Sequence, residues 1–160
     1  MLWFQIDVGS AQSSLSFCPG DGTAGACACG TSAVGQGAGC ANSTGRGARL
    51  FAHGSLQFFD VLYELEDLPP HTAAILFAGL NTSSGTPVFA GNSCVGGGLI
   101  RLGPVQADAL GTARQESGSD FFNAGFLAGT TVYAQAAYRD NAAGTGCLAN
   151  FTNGSVVTVQ

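Results

Sequence analysis

Lysine is absent from the chain altogether, and ten acidic side chains outnumber five arginines, leaving a net charge of −5. Nucleic acid is excluded as a partner on that count, because a polyanion is held by clustered cations and the arginines are scattered. A basic, lipid-attracted surface is excluded in the same way. Charged residues amount to only 9%, which argues against a solvated, disordered chain. Long apolar runs are missing too. The longest, Ala73 to Leu80, has eight residues, where a membrane-crossing helix needs about 18. Met1 to Ser10 lacks the basic opening of an export signal and places Asp7 inside a short apolar run, so a signal is expected to have been removed or to lie outside this sequence.

The motifs of common catalytic sites are missing as well. There is no G-x-S-x-G elbow, no phosphate-binding loop and no H-E-x-x-H. The two histidines, His53 at the end of a predicted strand and His71 after Pro69-Pro70, read as solvent-facing or structural, since a triad needs a base, a nucleophile and an acid in one pocket. Glu64, Glu66 and Asp67 cluster, and Asp108, Glu116 and Asp120 follow later. Paired carboxylates are the residues of glycoside hydrolysis or calcium binding, but Glu64 and Glu66 fit the solvated face of a half-buried strand. Asp21-Gly22 resembles one corner of a calcium loop without the acidic spacing to complete it. No enzyme activity, metal or cofactor is expected.

What the chain has in abundance is glycine, 25 residues, more than twice the usual share of roughly 7%. Such a chain is costly to order. Six cysteines at Cys18, Cys27, Cys29, Cys40, Cys94 and Cys147 supply a means of ordering it, and their even number points to disulfides in an oxidising compartment. Zinc would want two close ligand pairs with histidine nearby, and Cys27 and Cys29 are the one close pair. From Phe17 to Gly47 almost nothing large is available for burial, so covalent links must hold the segment. Two local arrangements are open: Cys18 with Cys27 and Cys29 with Cys40, or Cys18 with Cys29 and Cys27 with Cys40. Elimination then pairs Cys94 with Cys147.

The rest reads as strands. Leu2, Phe4, Ile6 and Val8 alternate with Trp3, Gln5 and Asp7 in an N-terminal amphipathic strand, followed by a linker over Gly9 to Ser16. Predicted strands follow at Ala48–His53, Leu56–Glu66, Thr72–Ala78, Pro87–Ala90, Gly98–Leu102, Val105–Ala109 and Thr112–Gln115. Phe59, Val61, Tyr63 and Leu65 face inward in the second of these. A final hairpin spans Thr130 to Gln160, with Val132, Ala134, Ala136 and Tyr138 on one face and Cys147 in its loop. No stretch holds a helical period for three turns. Asn42, Asn81, Asn150 and Asn153 each begin an N-x-S/T acceptor pattern, but in a chain this rich in Ser and Thr chance matches and plain turn residues are expected, and for a bacterial source turns are the safer reading.

The runs FCPGDGTAGACACG, GCANSTGRGA, SCVGGGLIRLG and YRDNAAGTGCLANFTNGS resemble a domain that recurs in large secreted proteins of planctomycete-like environmental bacteria. Cys18, Gly20, Asp21, Gly22, Cys27, Cys29, Gly30, Gly39, Cys40, Asn42 and Ser43 fit its cysteine-rich opening, with Ala28 and Thr31 as departures, and Met1 to Ser16 lies outside it. The resemblance implies a secreted β-rich module with structural disulfides and no established catalytic role.

The reading is an all-β chain, an antiparallel β-sandwich of immunoglobulin-like character, with an arm and linker (1–16), a disulfide segment (17–47) and a sandwich (48–160). The expected location is extracellular or at the cell surface. The expected role is a structural surface or filament subunit, self-associating by strand addition of the arm through Leu2, Phe4, Ile6 and Val8. The alternative is an adhesive module that takes a glycan or cell-surface partner through Asn81 to Gly85 and Asn141 to Gly146.

Overall fold

A computed structural model describes residues 15–30, 37–53, 61–127, 129–144 and 146–158. The predicted arm residues Leu2, Phe4, Ile6 and Val8, together with Phe59, lie outside the described residues. The fold is all-β and every strand pairing is antiparallel.

The organising strand is Thr131–Arg139, in which alternate small residues turn Val132, Ala134, Ala136 and Tyr138 to the core. Numbered in chain order, the strands are β1 (Leu15–Phe17), β2 (Arg49–His53), β3 (Leu62–Glu66), β4 (Ala73–Gly79), β5 (Asn81–Val88), β6 (Gly91–Gly96), β7 (Ile100–Gln106), β8 (Ala113–Glu116), β9 (Thr131–Arg139), β10 (Ala149–Phe151) and β11 (Gly154–Thr158). One sheet runs β1-β11-β9-β4-β7 with β10 also on β9, and a second runs β2-β3-β8. The core lies between them. Ala74, Leu76, Ala78 and Leu102 join the β9 residues from one side, and Leu50, Ala52, Val61, Tyr63 and Leu65 meet them from the other. The inward stripe expected of Val61, Tyr63 and Leu65 is therefore present.

A helix stands where none is predicted. Helix α1 (Gly118–Asn123) is six residues long, too short to show a helical period over three turns. Its role is to seat Phe121, which is buried against the core edge-to-face with Tyr63 and stacked on Phe126. Several strand boundaries also differ from the reading. The predicted strands at Gly98–Leu102 and Val105–Ala109 merge into β7, and Leu15 and Ser16 belong to β1 rather than to a linker. Pro87 and Val88 end the longer β5, after which Phe89 and Ala90 form the turn into β6. Apart from the predicted strand at Pro87–Ala90, residues 81–96 hold too little apolar alternation to be read as strands, yet they fold as the hairpin β5-β6 and lie on the outer side of the large sheet.

Strands β10 and β11 are one path along β9 interrupted by a bulge. Phe151 stands opposite Ala137 but Ser155 opposite Ala134, so one extra residue is accommodated between them. Thr152 repairs the ladder with its side chain: its N–H donates to Ala136 O (3.0 Å), and its Oγ1 accepts from Ala136 N–H (3.0 Å). The bulge aims Asn153 at the second sheet.

Candidate functional site

The residues that the fold brings together are the cysteines and a set of buried side-chain amides. Disulfides join Cys18 to Cys94, Cys27 to Cys40 and Cys29 to Cys147. The expected Cys94–Cys147 bond is thus corrected, and of the two local arrangements only the Cys27–Cys40 element is present. The reason is placement along β9. Cys94 N–H donates to the Gln135 side chain (3.0 Å), whereas Cys147 adjoins Leu148, whose carbonyl accepts from Asp140 N–H (2.7 Å). Five residues of strand separate the two, about 16 Å at 3.3 Å each, far beyond the reach of a disulfide. The opening segment is fastened outward, to the β5-β6 hairpin and to the loop after β9.

Alternation places Gln135 on the outer face of β9, and there it is fully buried under the hairpin. Its amide is satisfied at both ends, accepting from Cys94 N–H and donating to Asn92 O (2.8 Å) and Thr152 O (2.8 Å). Asn92 Nδ2 donates to Gly25 O (2.9 Å), and Asn150 Nδ2 donates to Cys40 O (3.1 Å) and Ala41 O (3.0 Å). Asn42 Nδ2 reaches Asp67 O (2.8 Å), and buried Asp140 accepts from Ser43 N–H (2.7 Å). Asn92, Asn150 and Asp140 thus satisfy backbone groups of the irregular opening segment, and Gln135 ties the β5-β6 hairpin to β9. Asn153 bridges the two sheets: its Oδ1 accepts from Leu50 N–H (2.7 Å) and its Nδ2 donates to Leu50 O (3.2 Å), Ser16 Oγ (2.9 Å) and Gly154 O (3.0 Å). Three of the four acceptor-pattern asparagines, Asn42, Asn150 and Asn153, are therefore buried and committed, while Asn81 is exposed on β5. The signal missed in the sequence was a glutamine inside an otherwise small and apolar strand.

The carboxylates form no catalytic pair. Glu64 Oε1 accepts from Arg114 Nε (3.0 Å) and Nη2 (2.7 Å), and Oε2 lies 3.5 Å from His53 Nε2. Glu66 and Asp108 flank the same open depression over β3 and β8. Asp108, however, is occupied in its own turn. Hydrogen bonds from Thr112 N–H and then Leu110 N–H hold its carboxyl below the ordinary value of 3.8. Thr23, through its hydroxyl and then its N–H, does the same for Asp21. His71 has φ 56° in the turn before β4, and its carbonyl accepts from Gln106 Nε2. Arg46 and Arg49 both approach Asp67, at 3.0 and 3.9 Å. Among the described residues no three His, Cys, Asp or Glu side chains converge on a metal-sized site. No helix among them is long and apolar enough to cross a membrane.

The edges of the sheets complete the surface. On β7, the bond from Ala107 N–H to Thr72 O sets a ladder in which Pro104 turns its donor-less nitrogen outward. On β2, Asn153 occupies both backbone groups of Leu50. On β8, the bond from Ser117 N–H to Val61 O turns the backbone of the charged residues Arg114 and Glu116 outward. On β11, Leu15 stands opposite Val156, so Val157 and Thr158 have no strand partner on that side among the described residues. Residues 81–85, expected as a binding loop, are instead the first part of strand β5, whereas the described residues 141–144 follow β9 at the other end of the large sheet from the start of β5. Compared with protein-family models, with curated proteins and with solved structures, the chain matches none of them.

Proposed function

We propose that the chain is an extracellular structural protein, a surface or filament subunit whose N-terminal arm adds as a strand to a neighbouring subunit. The observation that carries this reading is the contrast between edges. Three are blocked by proline, by a side-chain amide or by charge, while Val157 and Thr158 of β11 have no strand partner on their outer side among the described residues. An arm with an apolar stripe at Leu2, Phe4, Ile6 and Val8 needs ladder partners for its backbone and cover for its side chains. A strand delivered from one copy to the next does not close on itself and grows a fibre. Three disulfides suit an oxidising, extracellular setting, and the likeness of the opening to a secreted bacterial module supports the same location. The finer description as an immunoglobulin-like sandwich belongs to this proposal and rests on the core enclosed by two antiparallel sheets. The test is deletion of residues 1–10, read by negative-stain microscopy. The truncated chain is expected to be a soluble monomer that assembles again once the segment is fused back, and unchanged filaments from it refute strand addition.

A second reading, an adhesive module for glycans, is favoured by one feature. The 141–148 loop is pinned by Cys29–Cys147, and Leu148 is exposed there, as is Phe89, whose carbonyl lies 3.8 Å from Cys29 Sγ. A glycan array probed with the intact chain tests it, and a blank array removes it.

A further inference from the structure

We propose that the Asn153-Gly154 peptide is a latent deamidation site, silent in the folded chain and able to retire any copy that stays unfolded. The inference is independent of the assembly reading. Asn153 alone among the asparagines precedes a glycine. In an unfolded chain such a pair reacts faster than any other asparagine, because a residue without a side chain leaves its backbone nitrogen free to reach the asparagine amide carbon. Gly154 N gives up its proton to a base and bonds to Asn153 Cγ; the Cγ–Nδ2 bond breaks and ammonia leaves. Water then opens the five-membered imide at either carbonyl. The amide is thereby exchanged for a carboxylate, as aspartate or as iso-aspartate with one more carbon in the main chain.

The fold requires both members of this pair. Asn153 is buried and its amide is fixed at both ends, with Oδ1 accepting from Leu50 N–H and Nδ2 donating to Leu50 O, Ser16 Oγ and Gly154 O. Turning Cγ toward Gly154 N breaks the bonds that join the two sheets. Gly154 is buried as well, at a place where an added Cβ would run into the Phe17 ring, itself set edge-on against Tyr133. The base and the water that the reaction needs therefore reach neither residue. The bridge between the sheets demands the asparagine, the Phe17 contact demands the glycine, and folding keeps the two from reacting.

The product does not fit the site. Aspartate at 153 turns an oxygen toward Leu50 O and Gly154 O, two carbonyls with no proton to offer. Iso-aspartate lengthens the main chain at the bulge, where Phe151 and Ser155 stand in register with Ala137 and Ala134. The buried Asn92 and Asn150 precede serine and phenylalanine, whose side chains hinder the same attack. An unfolded copy thus loses first a side chain that it needs in order to refold.

The experiment ages the full chain at mildly alkaline pH in two portions, one folded and one unfolded in strong urea with its disulfides intact, and follows position 153 by peptide mapping. Loss of the amide is expected to be at least about a hundredfold slower in the folded portion, where reaction waits on opening. The unfolded portion is then diluted to urea at the unfolding midpoint of unaged chain, and a brief digestion removes whatever remains unfolded. Chains with aspartate or iso-aspartate at 153 are expected to be depleted at least about tenfold among the survivors, whereas change at the exposed Asn141 leaves survival unaltered. Asn153→Asp, prepared as a variant, should show the lowered urea midpoint of the aspartate form without ageing. Equal rates at 153 in folded and unfolded chain overturn the inference, and so do survivors that carry the altered residue in the same proportion as the aged chain.

Discussion

Replacing Asn153 with alanine removes four hydrogen bonds and leaves two buried backbone groups, the N–H and C=O of Leu50, without partners. An unsatisfied buried polar group costs about 1–3 kcal/mol, so the two together predict a loss of about 2–6 kcal/mol. Against a total stability of about 5–15 kcal/mol for a typical domain, that is a large fraction. For a chain of this size it corresponds to a fall in Tm of roughly 4–24 °C. Asn153→Asp sharpens the test. It keeps an acceptor for Leu50 N–H but turns an oxygen toward Leu50 O, Ser16 Oγ and Gly154 O, and is expected to be at least as damaging. Urea unfolding with the disulfides intact measures both. A loss below about 0.5 kcal/mol for alanine, within the range of ordinary surface substitutions, would show that the bridge between the sheets is not structural.

The three disulfides should reduce in order, Cys29–Cys147 first because Cys29 is exposed and Cys18–Cys94 last because both its residues are buried; timed alkylation and mass spectrometry give the order. Removing Cys29–Cys147, with a sequence separation of 118, should cost about 5 kcal/mol by chain entropy, against about 3 kcal/mol for Cys27–Cys40 with a separation of 13, and calorimetry compares them. Burial raises the pKa of Tyr63 and, as the larger of its causes, that of Tyr138. Their contribution is complete below the ordinary value of 10.0 and is lost as pH rises beyond it. Tyr63→Phe, which removes a buried hydroxyl without a partner, should therefore be neutral or stabilising at pH 7 and should flatten the alkaline decline in an unfolding series. Asp108 has the opposite sign: its lowered pKa stabilises above 3.8 and the benefit is lost as pH falls through the folded-state value, so Asp108→Asn should show a shallower acid decline.

Strands with a strict period of two were legible, because the sheet repeats what the sequence alternates. Tyr63, Leu65, Val132 and Ala136 lie where their spacing puts them. The outer hairpin was hardly legible beyond Pro87–Ala90, since the rest of residues 81–96 is rich in Gly, Ser, Thr and Asn and alternates no apolar face. That hairpin is held by Gln135, by Cys18–Cys94 and by backbone pairing, which leave no hydrophobic periodicity. The disulfide pairing failed on a related assumption, that cysteines close in sequence bond among themselves. A segment with nothing to bury cannot nucleate its own packing, and two of its three bonds run instead to partners 76 and 118 residues away. Asn150 and Asn153 look like turn residues, and Asn150 follows the loop into β10 while Asn153 sits at the bulge before β11, but their side chains act as backbone partners in the interior.

That the glycine-rich opening is bolted outward to the rest of the fold is tested most directly by a non-reducing tryptic map. Cleavage after Arg46, Arg49, Arg101, Arg114 and Arg139 puts Cys18, Cys27, Cys29 and Cys40 in peptide 1–46, Cys94 in 50–101 and Cys147 in 140–160. The bonds Cys18–Cys94, Cys27–Cys40 and Cys29–Cys147 predict one covalent species containing all three peptides. Recovery of 1–46 by itself, with 50–101 joined to 140–160, would mean that the opening is closed on itself and that this architecture is wrong.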